Sequence, residues 1–418
     1  MRIAMLTNNY KPFIGGVPIS IERLAQGLRE LGHVVYIFAP SYENQEEEPY
    51  VIRYKSCKKK MDGGMYIPNI FDREIEDQFR LLQFDVIHVH HPMLIGYTAL
   101  YLGKKYKIPV TFTYHTRYEQ YLHYLKPYGK LMQRYRQERF ESLRKMEEKV
   151  FYYSTQVVMP GYTKWFANQC DLVFAPTPMM RDYLLEQGTD TPIQVLPTGL
   201  NRSYFDSDER VSRELRNKLG AGKPYVFCTI ARLAKEKNLD FLMDTMFDLK
   251  QRFGSRFRLL VIGDGPEREH LQSRIGELGL MDQVLLLGNV PNEQIKYYCK
   301  ACDLFLFASK SETQGIVLLE AMAAQVPVIA VKASGVVDVV KNGRNGYMVT
   351  ESREEMVDKI CRTLENPVLY DQLSQGAQET AWEYLNTNIA RRAEAGYQDA
   401  IAWNMRRGYR HAMANDEA

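Results

Sequence analysis

The chain has little of several features that would point to a particular class of protein. Its 418 residues include only six cysteines, too few for a disulfide framework in a chain of this length. Cys299 and Cys302 form one C-x-x-C pair with no second pair at zinc-finger spacing, so we interpret them as small residues near the end of a helix. The net charge of +3 is too small to suggest a nucleic-acid partner.

Long apolar runs are also missing. No stretch approaches the roughly 20 consecutive apolar residues that a membrane-spanning helix requires. The N-terminal sequence MRIAMLTNNY is typical of a buried strand and lacks the apolar region of a signal peptide. We therefore expect a cytoplasmic protein.

The pattern of apolar segments predicts an α/β protein with more than one domain. A chain of 418 residues is too long for one ordinary hydrophobic core. Short apolar runs alternate with longer amphipathic ones, which predicts parallel, doubly wound sheets with helices on both faces. The expected strands are RIAML, HVVYIF, DVIHVH, PVTFTY, LVFAP and IQVLP in the first half, and YVFCTI, RLLVIG, VLLLG, DLFLF and PVIAV in the second.

Proline and glycine mark the expected domain boundary within LPTGLNRSYFD, residues 196–206. We expect a Rossmann-like domain over 1–198, a second over 199–385, and an amphipathic C-terminal segment over 386–418 that packs back on the first domain. Two such domains facing each other would border a cleft with the carboxyl ends of their sheets. Open α/β sheets bind their ligands at these ends.

The stretch SETQGIVLLEAMA, residues 311–323, places a carboxylate where one is costly. Glu320 lies among apolar residues, so it needs hydrogen-bonding partners. The loop before it leaves the carboxyl end of the strand DLFLF, which puts Glu312 at the cleft. We expect Gly315 to begin the helix, whose start would form an anion site suited to a phosphate. The N–H groups of this anion site belong to Gln314, Gly315 and Ile316.

A second loop predicts the same chemistry. The sequence ARLAKEKNLD follows the strand YVFCTI, so Arg232 and Lys237 also emerge at a carboxyl end. Each charge alone would be interpreted as a solvated surface group. Together they suit a diphosphate, because a guanidinium can bind two oxygens at once and an ammonium adds a point charge.

The first half of the chain contributes further candidates. Gly15 and Gly16 follow the first strand and precede a helix, where backbone amides could approach a phosphate or a sugar. The sequence there is not G-x-G-x-x-G, so a nicotinamide site is poorly supported. His115 closes the fourth strand and is a candidate donor or proton-handling group. In HVHH, residues 88–91, we predict structural histidines and no metal site, because no carboxylate partner is near in sequence.

These features, in this order along almost the whole chain, resemble the retaining glycosyltransferases of family 4. The residues that carry the resemblance are Gly15 with Gly16, then His115, Arg232, Lys237 and the pair Glu312-x7-Glu320. That family has the GT-B fold, in which two Rossmann-like domains close on a nucleotide sugar. The resemblance implies this fold and a hexosyltransferase that retains the configuration of the transferred sugar.

The resemblance also implies a role for each charged candidate of the second domain. Glu320 matches the residue that holds the ribose hydroxyls of the nucleotide, and such hydrogen bonds would explain its place among apolar residues. Glu312 matches the position beside the transferred sugar. Arg232 and Lys237 match the groups that neutralise the departing diphosphate.

The implied mechanism is front-face transfer that needs no metal and no cofactor besides the nucleotide sugar. Asn289 and Val290, after the strand VLLLG, match the place where the base rests. The amides of Gly16 and of residues 314–316 would add to the stabilisation of the leaving group. The predicted catalytic residues are His115, Arg232, Lys237 and Glu312.

The stretches HTRYEQYLHY and SETQG resemble the bacterial diacylglycerol glucosyltransferases more than the broader family. This resemblance implies transfer of glucose from UDP-glucose to a membrane lipid such as diacylglycerol. Residues 117–165 combine many aromatic and basic side chains, which suits an anionic membrane surface such as the inner face of the cell membrane. A solvated helix with core aromatics would have a similar composition, because glutamates dilute the charge.

Other acceptors and activities stay open at this point. A soluble sugar, a polysaccharide or another small molecule could be the acceptor. A nucleotide-sugar epimerase or hydrolase would need a ring-opening or water-activating group, and we identify none. A noncatalytic nucleotide-sugar binding protein is also possible, but it would not need all of the cleft residues named above. The stretch ASGVVDVV, residues 333–340, departs from the G-G-x-P-E-like donor motif of many family members, which leaves the donor sugar open.

Overall fold

The structure is a computed structural model that describes residues 1–13, 15–60, 66–115, 117, 157–206, 208–310 and 312–416. The chain divides into two compact units. Residues Met1–Gly199 and Thr387–Ala418 form the first unit, and Leu200–Asn386 forms the second.

The first unit contains a seven-stranded parallel sheet. Its strands are β1 Arg2–Leu6, β2 Val34–Pro40, β3 Val51–Tyr54, β6 Val86–Val89, β7 Val110–Thr113, β8 Leu172–Ala175 and β9 Ile193–Val195, and β4 Ser56–Lys60 pairs with β5 Tyr66–Pro68 as a separate antiparallel hairpin. The strand order is β3-β2-β1-β6-β7-β8-β9. The winding direction therefore reverses between β1 and β6, and this switch point is where such sheets bind ligands.

Helices cover the sheet of the first unit. They are α1 Gly16–Glu30, α2 Arg73–Leu82, α3 Ile95–Tyr106, α4 Met159–Ala167 and α5 Pro178–Glu186. Every residue of β6, β7 and β8 is buried, as expected when both faces of a parallel sheet are covered.

The second unit contains a six-stranded parallel sheet with the order β12-β11-β10-β13-β14-β15. Its strands are β10 Tyr225–Ile230, β11 Phe257–Ile262, β12 Val284–Gly288, β13 Leu304–Phe307, β14 Val328–Val331 and β15 Gly346–Val349. Its helices are α6 Glu209–Gly220, α7 Leu239–Phe253, α8 Arg268–Glu277, α9 Ile295–Lys300, α10 Ile316–Ala323, α11 Val336–Val339, α12 Arg353–Leu364 and α13 Pro367–Glu383. Here the switch point lies between β10 and β13.

The last helix, α14 Asn386–Asp416, packs on the first unit. Its buried residues Ile389, Ala393 and Tyr397 repeat at helical spacing and share a core with residues of the seven-stranded sheet such as Met5. A Cβ on Gly396 would lie 2.7 Å from the Phe174 ring, so the helix approaches the sheet closely at that glycine. Among the described residues, no helix is both long and apolar enough to cross a membrane.

The predicted fold class is confirmed, but two edge strands were missed. Both β3 and β15 are only four residues long and carry weak sequence signals. In β3 only Tyr54 is fully buried, so the apolar run is incomplete. Strand β15 begins with Gly346, which sequence patterns treat as a breaker. The glycine is required there because a Cβ would lie 1.9 Å from the Val328 carbonyl oxygen of the neighbouring strand.

Candidate functional site

Lys237 and Glu312 form an ion pair at the switch point of the second unit. Lys237 lies in a short 3-10 turn after β10, and Glu312 lies in the loop after β13. The Lys237 Nζ donates to Glu312 Oε1 at 2.6 Å, and each side chain is only 17% exposed. The backbone N–H of Lys310 also donates to the Glu236 carbonyl at 3.0 Å, so the two loops are joined by main chain as well. Two residues predicted from separate motifs therefore belong to one site.

Arg232 lies in the same loop as Lys237 and has a carboxylate partner of its own. Its Nη2 donates to Glu236 Oε1 at 2.8 Å, while its side chain stays 46% exposed. Burial, the largest single cause, raises the pKa of the Glu236 carboxyl, but hydrogen bonds from Arg232 and the backbone, together with the charges of Arg232 and Lys237, lower the pKa overall. Glu236 is therefore a carboxylate at neutral pH. Glu236 was not among the predicted site residues, although its place between two predicted cations could have suggested a counter-charge.

The helix start predicted at Gly315 lies one residue later. Helix α10 begins at Ile316, and Gly315 is its N-cap with φ of 72° and ψ of 52°. This left-handed conformation cannot belong to the helix and favours glycine. Gln314, just before it, is almost fully buried. The backbone thus turns sharply into α10 beside Glu312, at the carboxyl end of β13.

The loop after β14 packs directly against this turn. Ser334 Oγ donates to the Glu312 carbonyl at 2.9 Å. A Cβ on Gly335 would lie 2.9 Å from the Gln314 nitrogen and 3.0 Å from the Glu312 carbonyl oxygen. The stretch that departs from the family motif therefore supports the loop that contains Glu312.

Glu320 lies one turn inside α10 and is 3% exposed. Its neighbours Leu319 and Ala321 are fully buried, as the sequence predicts. The Cys299 thiol is close enough to Glu320 for the carboxyl group to affect the pKa of the thiol. A hydrogen bond with Cys228 lowers the pKa of Cys299, but burial and the nearby Cys302 and Glu320 raise it overall.

Loops from the other strands complete this edge of the sheet. Asn289, after β12, is exposed, and Val290 packs partly against the core. The loop after β11 lies against the loop after β10: a Cβ on Gly263 would be 2.0 Å from the Ala231 carbonyl oxygen, and one on Gly265 would be 2.4 Å from that of Leu233. The absence of side chains at these two glycines lets the loop after β11 pack closely against the backbone on both sides of Arg232. This close approach was not predicted, although the sequence GDG at 263–265 is a signal for it.

In the first unit, Gly15 and Gly16 lie between β1 and α1. Gly15 is the N-cap of α1 with an extended backbone, φ of −179°, and Gly16 is the first helical residue. Gly16 is exposed, and a Cβ there would meet no atom of the described residues within 4 Å. Helix α1 is 15 residues long, and its N-terminus lies at the carboxyl end of β1, as predicted.

His115, two residues after β7, contacts a histidine from the neighbouring strand. His90 Nδ1 lies 2.8 Å from His115 Nε2, and the rings are stacked with centroids 5.1 Å apart. His90 was predicted to be a structural histidine, and its contact with His115 was not predicted. Both residues follow strands that are adjacent in the sheet, which is the signal that could have found the pair.

Burial keeps this group of histidines neutral. His88 is fully buried between Tyr397 Oη and Thr113 Oγ1, each 2.6 Å away, as a structural histidine would be. Burial lowers the pKa of His88 to about 3 and lowers the pKa of His90 and His115 well below the usual range. Nearby histidine rings lower the pKa of His90 and His115 further.

Comparison with known proteins identifies the chain. The family model Glycosyltransferase Family 4 matches residues 14–204, and the model Glycosyl transferases group 1 matches residues 211–380. The alpha-monoglucosyldiacylglycerol synthase of Acholeplasma laidlawii is 30% identical over 414 residues, which cover 97% of this chain and 98% of that protein. The chain belongs to the family 4 glycosyltransferases.

Further relatives agree with this assignment. A second alpha-monoglucosyldiacylglycerol synthase, from Streptococcus pneumoniae, is 29% identical over 79% of this glycosyltransferase and 71% of that protein. The crystal structure of Anabaena HepE in complex with UDP has a TM-score of 0.70 at 18% identity, covering 94% of this chain and 99% of HepE. Sucrose-phosphate synthase from Thermosynechococcus elongatus has a TM-score of 0.69 at 19% identity, covering 99% of each chain. The structural matches show that the GT-B fold is shared.

Two expectations for this glycosyltransferase concern metal and membrane. Across the described ranges, no three His, Cys, Asp or Glu side chains are grouped so that they could hold a metal ion. The aromatic and basic stretch at 117–165 falls mostly on residues 118–156, which lie outside the described residues. Its first residue, Arg117, stacks over the Tyr183 ring at 4.4 Å.

Proposed function

We propose that this glycosyltransferase binds a nucleoside diphosphate sugar at the carboxyl edge of the sheet in Leu200–Asn386 and transfers the sugar to an acceptor. The observation that carries the proposal is the Lys237–Glu312 ion pair at the switch point between β10 and β13. It combines a cation suited to a diphosphate with a carboxylate suited to the sugar, beside the start of α10.

The diphosphate takes over the two cations of the β10 loop. Arg232 pairs with Glu236 and Lys237 pairs with Glu312, and a diphosphate offers more negative charge than either carboxylate. Arg232 is about half exposed, so its side chain can move from Glu236 to a phosphate. Lys237 is largely buried, and we assign it to the phosphate nearest the sugar. The N–H groups at the start of α10 add the positive end of a helix dipole.

The carboxylates bind the sugar and the ribose. Glu312, relieved of part of its pairing when Lys237 contacts phosphate, lies beside the transferred hexose and stabilises the positive charge that develops on its ring. Glu320, which is 3% exposed, accepts hydrogen bonds from the ribose hydroxyls. Asn289 and Val290 border the base.

Transfer proceeds with retention and without a metal. The bond from the anomeric carbon to the phosphate oxygen breaks, and the acceptor oxygen bonds to that carbon on the same face. The acceptor proton passes to the departing phosphate. Arg232 and Lys237 supply the positive charge that a divalent cation provides elsewhere. In the first unit, His115 and the backbone amide of Gly16 are the groups that we propose for substrate binding.

The proposed donor is UDP-glucose and the proposed acceptor is diacylglycerol in a membrane. The names of the Acholeplasma and Streptococcus relatives support this acceptor, and the Anabaena complex supports UDP. An exposed aromatic cluster on the first unit supports membrane contact. Trp165 is 45% exposed, with its ring centroid 6.0 Å from Tyr97 and 5.8 Å from Tyr162. Lys104 lies exposed in the last turn of α3 and suits anionic headgroups on the inner face of the cell membrane, whereas the neighbouring Lys105 pairs with Glu76.

The test is sugar transfer by purified protein from UDP-glucose, with and without vesicles of diacylglycerol and anionic lipid, in buffer containing EDTA. We expect a glucosylated lipid with an α-anomeric proton, formed only with vesicles. Transfer to soluble sugars alone would discard the lipid acceptor and keep the transferase. Free glucose or an epimer without a new glycoside would overturn the transferase and favour a hydrolase or epimerase. Binding of the donor without turnover of any kind would make the protein a sensor.

Membrane contact has a separate test. The double variant Tyr97→Ser with Trp165→Ser should reduce sedimentation with anionic vesicles several-fold while donor binding is retained. The matched control is Tyr50→Ser, an exposed tyrosine outside this cluster. Equal loss of vesicle binding in the control would show that the aromatic cluster is not the contact.

A further inference from the structure

We propose that His90 is a positioning residue that holds His115 in one tautomer, with its proton on Nδ1. The inference concerns the hydrogen bond between His90 Nδ1 and His115 Nε2 at 2.8 Å. In a bond between two neutral imidazoles, one nitrogen carries the proton and the other accepts. The pair therefore has two forms, and they present opposite chemistry at the second nitrogen of His115.

The surroundings of the two rings favour their neutral forms. His90 is 1% exposed, and its ring stacks on His88 with centroids 4.2 Å apart. His88 is itself held by Tyr397 and Thr113. An imidazolium in this stack would face neighbouring rings, and no carboxylate among the described residues acts on its pKa; burial accordingly lowers the pKa of His90 and of His115. Each ring thus carries one proton.

The other nitrogen of His90 decides between the two forms. His90 Nε2 is buried and makes no hydrogen bond with any residue that the structure describes. A buried N–H without a partner is more costly and rarer than an acceptor left unpaired. The His90 proton therefore lies on Nδ1, where it is donated to His115 Nε2. Because His115 Nε2 accepts, the proton of His115 lies on its own Nδ1.

The consequence is a fixed hydrogen-bond donor at the carboxyl end of β7. His115 is partly exposed, so its Nδ1–H can donate to an oxygen of a bound sugar, such as a hydroxyl. In the other form His115 would present a bare nitrogen and would need the ligand to donate. His90 does not touch the ligand, because it is buried behind His115. The catalytic consequence rests on the proposed sugar-binding role of His115, but the tautomer itself does not.

The tautomer can be measured directly in the full chain without substrate. Long-range proton–nitrogen correlation spectra of protein labelled with 15N-histidine distinguish protonated from bare ring nitrogens, and the His115 signals are assigned by their loss in His115→Gln. We expect a neutral His115 with a protonated Nδ1 and a bare Nε2. A protonated Nε2 on His115 would overturn the inference, whether or not the protein proves to be a transferase.

Three substitutions of His90 then test positioning. Asn keeps an N–H near the position of Nδ1, Phe keeps the stacked ring without the hydrogen bond, and Asp offers an acceptor that draws the His115 proton to Nε2. We expect His90→Asp to reverse the tautomer. We also expect kcat to fall roughly 10-fold in His90→Asp and His90→Phe, with little change in donor KM, which is the size of effect expected when one hydrogen bond is lost.

The substitutions distinguish loss of positioning from loss of folding and from failure of the proposed function. His90→Asn should keep the Nδ1–H tautomer and recover most of the kcat that His90→Phe loses, which a purely structural role for the ring would not produce. Equal activity of the folded Asn and Phe variants would overturn positioning. If His90→Asp fails to fold, the comparison of Asn with Phe decides. If the wild type shows the expected tautomer but no transferase activity with any donor, the proposed function fails and the tautomer assignment stands.

Discussion

Lys237 Nζ lies 2.6 Å from Glu312 Oε1, and this ion pair links the loops of two strands that are neighbours in the sheet but far apart in the chain. Each side chain is mostly buried, so each depends on the other for compensation of its charge. A ligand that binds to one member of the pair must also compensate the charge of the other member. A nucleotide sugar does so, since its diphosphate is anionic and its sugar ring becomes cationic during transfer.

Replacing Lys237 should therefore affect turnover more than binding. We expect Lys237→Ala to lower kcat by roughly 100-fold or more, as for other groups that stabilise charge in the transition state. The measurement is steady-state kinetics with UDP-glucose and lipid vesicles. Lys235→Ala is the matched control, because Lys235 is an exposed lysine in the same 3-10 turn. Near-normal kcat in a folded Lys237→Ala protein would remove Lys237 from the diphosphate site.

Glu320 should act on the nucleotide and not on the chemical step. We expect Glu320→Gln to weaken UDP binding by about 10-fold, because an amide oxygen replaces a charged acceptor of two hydroxyls and hydrogen bonds to charged groups are worth about 1.5–3 kcal/mol. Isothermal titration with UDP measures this loss. Glu365→Gln changes the same charge on an exposed glutamate of the same unit and should bind UDP normally. An unchanged Kd in Glu320→Gln would mean that Glu320 does not hold the ribose.

Gly263 should be intolerant of any side chain. A Cβ there would lie 2.0 Å from the Ala231 carbonyl oxygen, and its φ of 128° disfavours other residues. We expect Gly263→Ala to lower the free energy of unfolding by about 3 kcal/mol and to disturb the Arg232 loop. Gly276→Ala in α8 is the control, since its Cβ would meet nothing within 4 Å and should stabilise the helix by about 0.5–1 kcal/mol. Equal stability of the two variants in denaturant titrations would contradict the close approach.

The buried histidines should make the first unit sensitive to acid. His88 has a pKa of about 3 when folded, against an unfolded value near 6.5. Between these values the unfolded chain binds more protons, so the contribution of His88 is fully present above pH ~6.5 and is lost as the pH falls toward ~3. The slope reaches about 1.4 kcal/mol per pH unit for one such group.

Calorimetry at about pH 7.5 and 5.5 measures this effect. We expect the wild type to lose more thermal stability between the two conditions than His88→Gln, which cannot titrate at this position. The comparison uses the difference between pH values, so a uniform loss of stability in the variant does not matter. The same pH dependence in both proteins would show that His88 is not held neutral by burial.

Much of the site could be anticipated because loop membership is a local property of the sequence. The motifs that contain Arg232, Lys237 and Glu312 each follow an apolar strand, so their exit at a carboxyl end was predictable. The helix start at Gly315 was misplaced by one residue, because a left-handed N-cap and a first helical glycine have the same sequence signal. The edge strand β15 was missed because it begins with Gly346. That glycine is required by the close approach of Val328 in the neighbouring strand β14, which the sequence of β15 does not show.

The sequence by itself determined the α/β class, the family and the residues that lie in the loops after the strands. Periodicity and loop position depend on near neighbours in the chain, so local patterns reveal them. The tertiary structure alone decided which of those residues meet. Lys237 pairs with Glu312 because β10 lies next to β13, and His90 reaches His115 because β6 lies next to β7 in register. Strand order and register arise from packing between distant segments, so no local pattern contains them.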